Sequence, residues 1–132
     1  MQRFFVRVFA ADVARTKPLP VTFESALSAL AELPRLFIEP DGSFVWTSPP
    51  NIHPSWQVDG TLIDGGRTLF YCESKGCCSP EALDQLLACL CDGTSQLVFE
   101  SVERGVVMAE DEFRRSLTSL PGAPAAAPDR LA

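Results

Sequence analysis

The sequence predicts an α+β domain, a mostly antiparallel sheet with two main helices on one face and a short C-terminal helix. Three observations predict it. Apolar residues alternate with a period of two or of about 3.6 in the order strand, helix, four strands, helix, strand pair. The four central strands are closed by the Pro, Gly, Asn and Asp chemistry of turns. Each main helix is bracketed by residues that start and stop helices.

Taken in order, Phe4, Val6 and Val8 alternate with Phe5, Arg7 and Phe9, so this strand is apolar on both faces and reads as largely covered. Pro18 and Pro20 break the chain and Thr22 is placed to cap a helix. Phe23, Leu27 and Leu30 then recur at helical spacing until Pro34. Arg35–Glu39 and Phe44–Thr47 flank Pro40-Asp41-Gly42-Ser43, a hairpin whose Pro pre-sets φ, whose Asp accepts from the backbone and whose Gly tolerates positive φ. After the loop Ser48–Ser55, Trp56, Val58 and Leu62 share one strand face, and Asp64-Gly65-Gly66 turns the chain into Thr68–Glu73. Gly60 inside that strand marks a bulge or a close backbone approach, with a tight turn at Asp59-Gly60 as the other reading.

The second helix has Ser79 as cap, Pro80 at its first position, Glu81 in its first turn and Gly93 beyond its end. Leu83, Leu86, Leu87 and Leu90 form its stripe. Gln96–Val102 and Val106–Met108 read as strands around a turn at Glu103-Arg104-Gly105. Glu110, Asp111 and Glu112 open the last helix, with Phe113, Leu117 and Leu120 as its docking stripe. Pairing of Glu110 with Arg114 and of Asp111 with Arg115 is expected to add ~0.3–0.5 kcal/mol each.

Strand-helix and helix-strand ends around a central antiparallel ribbon resemble a ferredoxin-like sandwich with an extra central hairpin, a likeness of element order that implies no function. Residues 1–120 are expected to form one domain and 121–132 a disordered Pro/Ala-rich tail.

With 46% apolar residues and nine Phe, 132 residues suffice for a core without staples. The chain is acidic, at a net −6, and its nine Arg and two Lys are scattered, so neither nucleic acid nor an anionic membrane is an expected partner. Arg7 interrupts the apolar N-terminal run, which argues against a signal peptide, and no stretch of ~18 apolar residues offers a membrane span. A cytoplasmic protein with five reduced thiols is expected.

Candidate chemistry is sparse. Cys77 and Cys78 stand at the amino end of the second helix, where the dipole favours thiolate; the bland alternative is a tight strand-to-helix joint with small buried residues. Cys72, Cys77 and Cys78, with Cys89, Cys91 or His53 in support, are the only candidates for a metal, and only Cys72-x4-Cys77 approaches ligand spacing. His53 is the single histidine, in a loop flanked by Trp46 and Trp56, so the three residues form a candidate recognition loop; alternatively both Trp rings belong to the core. Asp64-Gly65-Gly66-Arg67 lacks the helix that a phosphate loop needs.

No convergent acid, base and nucleophile is visible, and no cofactor is expected. The expectation is a non-enzymatic protein that acts through a protein partner or a homodimer, docked on the sheet or on the Trp46–Trp56 loop. A thiol or metal protein built on Cys72, Cys77 and Cys78 is the alternative.

Overall fold

A computed structural model describes residues 2–13 and 15–118. Eight strands and three helices follow in the order β1 (Phe4–Ala11), β2 (Thr16–Lys17), α1 (Phe23–Ala31), β3 (Leu36–Ile38), β4 (Ser43–Thr47), β5 (Gln57–Asp64), β6 (Leu69–Cys77), α2 (Pro80–Ala88), β7 (Leu97–Ser101), β8 (Val107–Ala109) and α3 (Glu110–Thr118). Leu120 of the expected docking stripe and the expected tail at 121–132 lie outside the described residues.

The strands form one sheet in the order β3-β4-β5-β6-β1-β7-β8, with β2 added to the end of β1. Every pairing is antiparallel. Helix α2 links β6 to β7 while β1 lies between them, so β1 is interior in the sheet.

Local chemistry closes the turns. Asp41 Oδ1 accepts from Ser43 N at 2.9 Å beside Gly42 at φ +95°, and these bonds hold the Asp41 carboxyl below its ordinary pKa. Asp64 Oδ1 accepts from Gly66 N at 3.0 Å. Thr22 Oγ1 caps α1 by accepting from Ser25 N at 3.0 Å, and Ser79 Oγ caps α2 by accepting from Ala82 N at 3.2 Å. Arg114 Nε meets Glu110 at 2.9 Å, Arg115 meets Asp111 at 3.2 Å, and Arg114 also reaches Asp84 of α2 at 2.8 Å.

The core lies on one side of the sheet. Register brings Phe4, Gly76, Val58, Trp46 and Leu36 into one row, and Met108, Phe99, Val8, Cys72 and Leu62 into another. Against these pack Ala26 and Leu30 of α1, the Leu83, Leu86 and Leu87 stripe of α2, and Phe113 of α3, whose ring stacks on Phe99 at 4.4 Å. Gly60 is neither a turn nor the bulge, which falls at Ile63/Asp64. Its missing side chain leaves room for the Phe44 ring, which a Cβ would strike.

Two expectations need correction. Strand β6 runs four residues past Glu73, through Ser74, Lys75 and Gly76 to Cys77, because hydrogen bonding to both β5 and β1 holds polar residues in extended form. Helix α2 ends at Ala88 with Cys89 as its C-cap, short of Gly93. β1 is the covered, interior strand its two apolar faces predict: none of its residues is fully exposed and Phe9 is buried, although no helix lies over the Phe5, Arg7 and Phe9 side.

Candidate functional site

Phe5, Arg7 and Phe9 head three rows across the uncovered sheet face. Phe5 lies beside Lys75, Asp59, Val45 and Phe37; Arg7 lies between Glu100 and Glu73, with Thr61 and Ser43 beyond. The third row carries Val98, Phe9, Tyr71 and Ile63.

The rows are organised by cross-strand pairs of matched type. Arg7 Nε donates to Glu73 Oε1 at 3.2 Å while Nη1 meets Glu100 at 3.5 Å, and the guanidinium sits 5.5 Å from the Tyr71 ring centre. The hydrogen bond that Arg7 donates to Glu73 raises the Arg7 pKa further above its ordinary value. Lys75 Nζ lies 5.1 Å from the Phe5 ring centre. Phe9 contacts Tyr71 at 5.0 Å and Phe70 at 5.8 Å between ring centres, so an aromatic cluster stands on this face. Phe37 is 74% exposed, with Val45 and Val107 also open to solvent. Half-exposed ion pairs of this kind add little stability, ~0–1 kcal/mol each; their larger effect is to neutralise charge on an apolar surface.

Sequence periodicity exposed the apolar second face of β1 but not what lies over it. The Arg7 network joins residues 66 and 93 positions apart, and no local signal announces such a pairing.

The loop residues singled out by sequence do come together. Trp46, His53 and Trp56 line a recess of about 330 Å³ between the 48–55 loop and α2, with Arg35, Glu81 and Gln85 on its walls. Ser48 and Trp56 close the loop base, Ser48 N donating to Trp56 O and Trp56 N to Ser48 Oγ, both at 3.0 Å. The two indoles meet edge to face at 5.1 Å, Trp46 Nε1 donates to Pro34 O at 3.0 Å, and both residues are buried. Little ring surface is left for a ligand, and His53 is exposed. Arg35, unflagged by sequence, adopts φ +66°, anchored by Nε donating to Thr47 O at 3.1 Å.

The three thiols do not converge. Cys72 is buried in the core, and Cys77 is half-buried at the margin of the core, five residues or ~16 Å along the same strand. Burial pushes the Cys72 thiol up to about 12, with a small opposing effect from Ser74, whose Oγ lies 3.5 Å from Sγ. Cys78 is also pushed up to about 12, first by burial and then by Cys77, with Arg114 acting in the opposite direction. Among the described residues, no group of three or more His, Cys, Asp or Glu is placed to hold a metal, and no helix is long and apolar enough to cross a membrane.

Comparisons with protein-family models, with curated proteins and with solved structures found no match.

Proposed function

We propose that this is a non-enzymatic protein of the cytoplasm that works by docking another protein chain on the uncovered face of its sheet. The observation that carries the reading is the segregation of the helices to one side, which leaves Phe37, Val45, Ile63, Phe70, Tyr71 and Val98 on the other. Apolar and aromatic residues stand on either side of a charged central row, and open apolar surface of this extent marks a protein interface. Its charge supports a protein occupant: three carboxylates, Asp59, Glu73 and Glu100, stand against Arg7 and Lys75, while the whole chain carries −6. The occupant that fits is an apolar protein surface of balanced charge, for which this face carries no strong field of either sign.

The fold reading that accompanies this proposal is a ferredoxin-like sandwich formed by β5-β6-β1-β7 with α1 and α2, to which the β3–β4 hairpin adds an extension. The position of β1 between β6 and β7 supports it. The extension widens the face to which a partner binds. The loop recess ranks second as a docking site because its indoles are engaged with each other and with the core.

A photo-crosslinking amino acid placed in cells at Val98 on the face, at His53 in the loop and at Ser28 on the exposed side of α1 tests the reading. Protein adducts are expected from position 98 alone. Adducts from position 53 or 28 with none from 98 would overturn it.

A further inference from the structure

We propose that the occupant of this face is a second copy of the chain, packed face to face about a two-fold axis that runs along the strands between β1 and β6. The inference rests on the reading of the face as a docking surface and goes further by naming the partner. A two-fold contact sets residue i against j and j against i. With the axis in this position, each residue of β1 meets the second copy's version of its own cross-strand neighbour on β6.

Three consecutive neighbours on these strands are of complementary type. Phe5 pairs with Lys75, Arg7 with Glu73, and Phe9 with Tyr71. The same contacts are therefore offered between copies: Arg7 to Glu73 and Lys75 to Phe5, each occurring twice, while Phe9 is buried within its own chain and leaves Tyr71 as the more open ring of the third pair. One strand further out, Val98 meets Ile63. Aligned sheets cross at about 30° and lie about 10 Å apart, so the match is closest near the axis, where these three pairs stand.

Area and edges agree with a face contact. Seven strands of three to nine residues, at ~4.8 Å spacing and ~3.4 Å rise, give on the order of 600 Å² in projection before side-chain relief. That is close to the ~800 Å² per partner of a standard interface. Strand addition at the sheet ends is poorly provided for. The two terminal strands, β3 and β8, are three residues each, and Pro34 and Pro40, which have no N–H, flank β3.

The test is sedimentation of the full chain over a concentration series, with Arg7→Glu, Glu73→Arg and their equimolar mixture beside the wild type. A dimer is expected for the wild type, with each single variant at least tenfold weaker because two like-charged contacts replace two ion pairs. In the mixture both interchain contacts are restored, Glu at 7 against Arg at 73 and Arg7 against Glu73, although each chain keeps its internal defect. Recovery of the dimer on mixing therefore reads the interchain pairing itself. Should Arg7→Glu cost the fold, Val98→Arg reads the same interface one strand further out: loss of the dimer supports the face-to-face packing and an unchanged dimer overturns it. A wild type that is monomeric throughout, while position 98 still crosslinks to a different protein, overturns the second copy and leaves the docking face standing. A dimer unaffected by every variant, with no adduct from position 98, removes both.

Discussion

On the helix side of the sheet Val6, Val8, Cys72 and Phe99 are shut away from water, while one residue along the same strands Arg7, Glu73 and Glu100 remain partly open to it. The two faces share every backbone hydrogen bond and differ only in what lies over them. The covered face was completed by the chain's own helices. The other was given the aromatic content of a core, Phe5, Phe9, Phe70 and Tyr71, together with a charge network that the core side lacks. The contrast separates two uses of apolar residues: one face holds the monomer together, and the other is the surface proposed to meet a partner.

Substitutions that strike one face and spare the other break or sharpen that contrast. The largest loss is expected for Phe99→Ala, which removes a buried ring stacked on Phe113; unfolding in urea should show ~3–5 kcal/mol of destabilisation. Gly60→Ala drives a methyl group into the Phe44 ring, and overpacking of this kind should cost ~1–3 kcal/mol in the same assay. Phe37→Ser, at the outer edge of the uncovered face, should change monomer stability by less than ~0.5 kcal/mol when measured at high dilution, where any association is dissociated. A cost for Phe37→Ser comparable to that of Phe99→Ala would erase the distinction between the faces.

Much of the architecture was legible because its determinants are local. Thr22, Ser79, Asp41 and Asp64 each act on a backbone N–H two or three residues away, and Glu110 reaches Arg114 within one helical turn. The alternation Trp56, Val58, Leu62 named the buried side of β5 correctly. What escaped depends on distant partners. Polar Ser74 and Lys75 concealed the end of β6, which two neighbouring strands impose, and the two-residue β2 exists only by pairing with Ala10 and Ala11. For the candidate site, the apolar second face of β1 was visible, but alternation cannot distinguish coverage by helices from coverage by another molecule. At Cys78 the sequence offered both a helix start and a tight buried joint, and burial, which raises the thiol pKa, depends on packing that no local signal reports.

The central place of β1 also governs how the chain must assemble. Residues 4–11 are bordered by 69–77 on one side and 97–101 on the other, so the Phe-rich segment finds neither sheet neighbour until most of the chain has been synthesised. Closure over such separations slows folding toward the millisecond-to-second regime typical of non-local sheets. During that interval Phe4-Phe5-Val6 lacks both sheet neighbours, and Arg7, which later sits amid the uncovered face, places beside it the kind of charge that limits β-aggregation.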